Sequence, residues 1–101
     1  MSVIVIAHFS VPDMDKTMAV LAEHAALLDS VTEYAKGVGA IHHRFMAGDG
    51  ELVVLDEWES PEQFQAFFEG NADVETITMA AGVTGPPRVE VYGAVEAAGT
   101  F

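Results

Sequence analysis

The chain has 101 residues, half of them hydrophobic, with four basic and 16 acidic side chains and a net charge of −12. So acidic a chain is not expected to bind nucleic acid or an anionic membrane surface, because both contacts depend on Lys and Arg. It contains no cysteine, which excludes disulfides, thiolate metal ligands and a thiol nucleophile. No apolar run approaches the roughly 20 residues that span a bilayer, and the chain starts without a basic leader. We therefore expect a cytoplasmic protein whose residues 1–101 form one domain.

The first half of the chain predicts a strand, a long helix and a second strand. Residues 3–9 are apolar on both faces, as in a central strand that is covered on both sides. From 13 to about 36, apolar residues recur every three or four positions, which predicts a helix with a bend near 29–30. Residues 40–47 predict the second strand, and the Gly-Asp-Gly segment at 48–50 predicts a hairpin turn.

A strand-to-helix corner follows this turn. Residues 51–58 predict the third strand, which the hairpin makes an antiparallel neighbour of the second. Ser60 can cap a helix, Pro61 suits the first helical position, and Gln63 completes a capping box. The second helix is therefore expected over 60–69.

The last third of the chain predicts a short helix over 73–81 and a fourth strand over 88–95, which alternates with period two. A short tail of about 96–101 follows. The order βαββαβ predicts an α+β, ferredoxin-like fold, with helices on one face of a four-stranded antiparallel sheet. The other face is left open, and a second copy of the same sheet is the simplest partner for it, so a homodimer is expected.

The corner Glu57-Trp58-Glu59-Ser60, the hairpin before it and the segment Thr84-Gly85-Pro86-Pro87 resemble the antibiotic biosynthesis monooxygenase family of the dimeric α/β-barrel superfamily. The resemblance covers about residues 3–95. It implies a dimer whose two sheets pack into a barrel, and cofactor-independent monooxygenation of a small aromatic, such as an anthrone or a quinol. The group also includes haem-degrading enzymes, isomerases and proteins with no known activity. A non-catalytic dimeric small-molecule binding or stress-related protein and a cofactor-free isomerase are therefore the alternatives.

The chain departs from the family's pattern at positions that concern chemistry. Many members carry a histidine in the second helix, and the matching region 67–73 has none. The Trp and the haem-ligand His of the haem-degrading branch correspond to Phe67 and Ile77, so haem cleavage is disfavoured. The glycines form no dinucleotide-binding or phosphate-binding motif, so neither flavin nor nicotinamide is expected. The sequence predicts that the protein uses no cofactor.

Histidines are the candidate bases. Alternation places His42 and His43 on opposite faces of the second strand, so one points towards the helices and the other towards a partner subunit. If strands one and three are neighbours, His8 and Asp56 approach each other, and a carboxylate that orients a histidine makes it a candidate general base. We therefore predict His8, His42 or His43 as the base with Asp56 as its orienter; a structural role for each histidine is the alternative. No metal site is expected, because adjacent strand residues cannot share one ion.

Aromatic and sulfur-containing side chains are the candidate pocket wall for a small aromatic ligand, although the same residues also suit a core. Arg44 is a candidate clamp for a substrate carboxylate or phenolate, and a surface salt bridge is its alternative. Met18 and Met79 are further candidates for the cleft. The predicted aromatic wall consists of Trp58, Phe64, Phe67 and Phe68.

Overall fold

The protein is built on an antiparallel sheet. The computed structural model describes residues 2–101, within which the chain forms four strands and four helices. The strands are β1 (Val3–Ser10), β2 (Ala40–Gly48), β3 (Glu51–Trp58) and β4 (Arg88–Gly93). Their order across the sheet is β2-β3-β1-β4, which confirms the predicted α+β, ferredoxin-like arrangement. The fourth strand ends two residues earlier than the sequence predicted.

Two pairs of helices connect the strands. They are α1 (Met14–Glu23), α2 (Ala25–Gly37), α3 (Pro61–Gly70) and α4 (Ala72–Ala80). The prediction of one helix with a bend near 29–30 is wrong, because the break between α1 and α2 falls at His24. There the imidazole Nδ1 lies 2.9 Å from the carbonyl oxygen of Val20. The same carbonyl also accepts the backbone N–H of His24 at 3.0 Å, and α1 ends here because the backbone of His24 departs from helical values, with φ −99° and ψ 21°.

Local capping defines where the helices begin. Ser60 Oγ accepts a hydrogen bond from the backbone N–H of Gln63 at 3.2 Å, with Pro61 at the first helical position, as predicted. Asp13 caps α1 in the same way through Lys16 N–H at 3.1 Å. Such a cap contributes about 1 kcal/mol to stability. The corner after β3 is therefore set by local chemistry.

Strand register divides the sheet into two faces. Val5 pairs with Asp56 and Ala7 with Val54, and these residues face the helices. The intervening residues point the other way, because side chains alternate along a strand. We call this side the open face; it consists of Ile4, Ile6, His8, His42, Arg44, Met46, Val53, Leu55, Glu57, Arg88, Glu90 and Tyr92.

The core lies between the sheet and the helices in two neighbouring clusters. One joins Val5, Trp58 and Ala35, and the other joins Phe9 and Leu52 with smaller residues. Trp58 is only 1% exposed. None of the helices in residues 2–101 has the length and apolar character to cross a membrane.

Candidate functional site

The centre of the candidate site is a cross-strand pair. His43 in β2 lies directly opposite Asp56 in β3, and both side chains point to the helix side of the sheet. Their Nδ1 and Oδ1 atoms are 2.5 Å apart. A carboxylate only accepts hydrogen bonds, so Nδ1 carries a proton, and in the neutral imidazole the lone pair is then on Nε2. This is the arrangement of a histidine that can accept a proton from a ligand.

Trp58 fixes the carboxylate from the other side. The indole Nε1–H donates to Asp56 Oδ2 at 3.2 Å, so each carboxylate oxygen has a partner. Asp56 is 9% exposed and Trp58 is 1% exposed. Because a buried polar side chain is costly unless it is hydrogen-bonded, these two bonds explain how an acid is kept in the apolar layer. They also prevent the carboxylate from rotating.

An apolar pocket opens next to the pair, between the sheet and the helices. Its volume is about 170 Å³, and His43, Asp56 and Trp58 all contribute to its wall. Phe64, Phe67 and Phe68 from α3 line it too. The rings pack on each other, with centroids of Trp58 and Phe67 5.1 Å apart. A rigid aromatic wall beside a polar pair is suited to hold a planar molecule.

His8 does not meet Asp56. The prediction that these two approach is wrong, although β1 and β3 are neighbours as expected. His8 pairs with Val53 and lies on the open face, whereas Asp56 pairs with Val5 on the helix side. An odd offset in register places two residues on opposite sides of a sheet.

His8 instead joins an acidic cluster on the open face. Its Nε2 lies 2.7 Å from Glu90 Oε1, and its Nδ1 lies 3.2 Å from Glu51 Oε1. Tyr92 Oη donates to the other oxygen of Glu90 at 3.0 Å. The hydrogen bond with His8 is the main cause of a lowered pKa of Glu90, and the hydrogen bond from Tyr92 lowers it further. The hydrogen bond to Glu90 in turn raises the pKa of Tyr92. This cluster has no part in the pocket.

The remaining predicted site residues lie at the edge of the pocket or outside it. His42 borders the pocket, but its imidazole is 72% exposed and its Nε2 is 3.9 Å from Glu57 Oε1 on the open face. Arg44 lies on the open face opposite Leu55 and does not line the pocket. Met18 and Met79 are exposed and do not line it either, so they were wrongly assigned to the cleft.

Sequence reasoning missed the contribution of α2 and α4 to the pocket. Leu28, Thr32 and Lys36 follow one another at four-residue steps along one side of α2, and all three line the pocket. Thr78 of α4 lines it as well. The helical spacing of the α2 residues was the available signal, but a lysine at the end of a helix is ordinarily a solvated side chain.

No family model matches the chain, and no curated protein matches its sequence. Several solved structures do share its fold. The monooxygenase from the gene ActVA-Orf6 of Streptomyces coelicolor, in complex with nanaomycin D, is 17% identical, with a TM-score of 0.70 over 95% of this chain and 89% of that chain. SnoaB, a cofactor-independent oxygenase from Streptomyces nogalater, is 15% identical, with a TM-score of 0.67 over 98% of each chain.

A dimeric ferredoxin-like protein from an uncultured marine organism is 12% identical, with a TM-score of 0.69 over 95% of this chain and 90% of that chain. These identities are low, so the likeness is one of fold. The chain has the ferredoxin-like fold of these monooxygenase-like and dimeric proteins, as the resemblance in the sequence predicted.

Proposed function

We propose that the protein is a cofactor-independent monooxygenase of a small planar aromatic of the anthrone or quinol type, with His43 as its general base. The observation that carries this proposal is the His43–Asp56 hydrogen bond in the wall of an apolar, aromatic-lined pocket. Asp56 holds the imidazole in the tautomer that leaves Nε2 as the acceptor, and it stabilises the imidazolium that forms. Trp58 in turn holds Asp56.

The proposed reaction begins when Nε2 of His43 removes a proton from an acidic C–H or O–H group of the substrate. The substrate anion passes one electron to dioxygen, and the resulting radical and superoxide combine to form a C–O bond. Imidazolium returns its proton to the peroxide, and loss of water leaves a carbonyl. For an anthrone, CH2 and O2 become C=O and H2O, so the substrate supplies all four electrons and no separate reductant is needed.

The pocket favours this chemistry through its apolar wall. Its wall is mostly aliphatic and aromatic, and a site of low polarity strengthens the His43–Asp56 interaction when the imidazole becomes charged. The side chain of His43 is 38% exposed in the single chain, so a bound aromatic ring that covers the imidazole would itself exclude water from the carbanion and the peroxide. The aromatic wall from α3 can stack on the substrate ring while His43 reaches its edge.

Pocket size limits the substrate. The cavity of about 170 Å³ is similar to the roughly 150 Å³ engineered cavity that accepts benzene. A cavity of this size encloses about one ring, and further fused rings have to project through the mouth. We expect small quinols and naphthols to be better substrates than tricyclic anthrones.

The fold is also found in a cofactor-independent oxygenase and in a monooxygenase that binds nanaomycin D, and this supports the proposal. The direct test is oxygen consumption by metal-stripped protein against quinols, naphthols and anthrones of one to three rings. Uptake with one added oxygen atom in the product, labelled from 18O2, supports a monooxygenase.

Other outcomes of that test point to the alternative functions. Deuterium exchange at a substrate carbon without oxygen uptake would indicate that the protein is an isomerase that uses the same base, and not an oxygenase. Ligand binding without either reaction would leave a binding protein.

We also propose that the chain forms a homodimer through the open face. Ile4, Ile6 and Leu55 lie at its centre and are only half-buried in the single chain. Apolar side chains on an open sheet gain stability when a second sheet covers them. One of the proteins that share this fold is a dimeric ferredoxin-like protein, which supports the same arrangement here.

A further inference from the structure

The pocket wall contains one cationic side chain of Lys or Arg type among residues 2–101, and it is Lys36. The whole chain has only four such residues. Arg44 and Arg88 belong to the open face, and Lys16 is an exposed residue of α1 that does not line the pocket. Lys36 comes from the last turn of α2 and stands at the exposed rim, with 64% of its side chain accessible.

The ammonium of Lys36 is available to a ligand, because the one carboxylate that the described residues contribute to the pocket wall already has its partners. Asp56 already accepts hydrogen bonds from His43 and Trp58, one on each oxygen. Lys36 Nζ contacts Glu33 Oε1 at 3.4 Å, and Glu33 is 76% exposed and does not line the pocket. An exposed ion pair of this kind is weak and is easily exchanged for a better partner. The ammonium has three donors, of which Glu33 takes one.

We propose that Lys36 binds an anionic substituent of the ligand, a carboxylate or a phenolate, and so selects planar aromatic anions. The assignment rests on the proposed function, since it gives that substrate a charged end at the pocket rim. The ring system would lie against the aromatic wall from α3, and the charged group would stay at the rim beside the ammonium. The net charge of −12 repels anions at a distance. Salt screens this repulsion beyond about 8 Å, so the nearby ammonium decides the selectivity.

The test compares two probes of the same shape, 2-naphthoate and the neutral 2-naphthamide, by isothermal titration calorimetry. Trp58 is the only tryptophan, so its single indole N–H signal in NMR spectra reports whether a probe occupies the pocket. In Lys36→Met we expect the affinity for naphthoate to fall about tenfold, since a hydrogen bond to a charged group is lost. The affinity for naphthamide should not change.

Matched variants separate this effect from a general one. Lys36→Arg should retain the preference for the anion, and Lys16→Met, which removes an equal charge outside the pocket, should leave both affinities unchanged. Glu33→Gln should improve naphthoate binding by about twofold, because the competing carboxylate is gone.

Four results decide the outcome. Equal affinities of both probes for the wild type, or an equal loss of both in Lys36→Met, overturn the role of Lys36. If neither probe shifts the Trp58 signal, the inference fails together with the proposed aromatic pocket. If the preference for naphthoate over naphthamide is lost in Lys36→Met but no oxygen is consumed with any substrate, the inference stands and the proposed oxygenase activity fails.

Discussion

The Nδ1 atom of His43 lies 2.5 Å from Oδ1 of Asp56, although the two residues are 13 positions apart and belong to different strands. The β2–β3 hairpin sets this distance, because its register places the two side chains directly opposite each other. The same hairpin carries Trp58, which donates to the second oxygen of Asp56. One supersecondary element therefore supplies the candidate base, its orienting carboxylate and the donor that fixes the carboxylate.

Replacing His43 by Gln should lower kcat by about 10² to 10⁴, the usual contribution of a general base. Gln keeps a polar group near Asp56, so the fold should persist and circular dichroism should be unchanged. The comparison is His42→Gln, which alters a histidine on the other side of the same strand and should retain activity. Full activity of His43→Gln with the best substrate would exclude His43 as the base.

Trp58→Phe should reduce the free energy of unfolding by about 1–3 kcal/mol, because it removes the donor to Asp56 and leaves a small cavity. Chemical denaturation measures this change. Phe101→Ala alters an entirely exposed aromatic residue and should change stability by less than about 0.5 kcal/mol. Stability of Trp58→Phe equal to that of the wild type would show that the indole hydrogen bond contributes little.

Gly39→Ala should destabilise the protein by about 1–3 kcal/mol, because its backbone has a φ of +120° that an L side chain rarely adopts. A Cβ there would also stand 2.6 Å from Gln63 Nε2. Adding Gln63→Ala should relieve the contact but not the backbone strain, so a double-mutant cycle by denaturation separates the two. Gly37→Ala, with nothing within 4 Å of its Cβ, is the control and should change stability by less than about 1 kcal/mol.

Carboxyl NMR titration should find the pKa of Glu90 below its ordinary value of 4.5. The hydrogen bond with His8 is the main cause, so His8→Ala should move the pKa back towards that value, and Tyr92→Phe should do so to a smaller extent. A lowered carboxyl pKa stabilises the fold above the unfolded pKa, and this contribution disappears as the pH falls through the folded pKa. An unchanged Glu90 pKa in His8→Ala would contradict the assignment.

Leu55→Glu on the open face should convert the proposed dimer into a monomer, because a buried, unpaired carboxylate at a sheet interface is costly. Light scattering coupled to size-exclusion chromatography measures the mass directly. Met79→Glu introduces the same charge on an exposed residue of α4 and should leave the mass unchanged. A wild-type mass equal to one chain would exclude the dimer altogether.

Local patterns in the sequence were sufficient to predict the sheet and most helix boundaries. The Ser60-Pro61 cap, the Gly48-Asp49-Gly50 turn and the alternating strands act over a few residues, so their physics is visible in the sequence. The break at His24 was not predicted, because the apolar pattern runs on across it and the change lies in the backbone angles of one residue. The opposite orientations of His42 and His43 were predicted correctly, since alternation within one strand is a local property.

The sequence by itself thus determined the order of elements, the α+β class and the set of histidines from which a base could come. Only the tertiary structure decided that His43, and not His8, meets Asp56, that Arg44 lies outside the pocket and that Lys36 lies on its rim. The reason is register. Alternation tells which residues of one strand share a side, but a shift of one residue between paired strands moves a side chain to the opposite face.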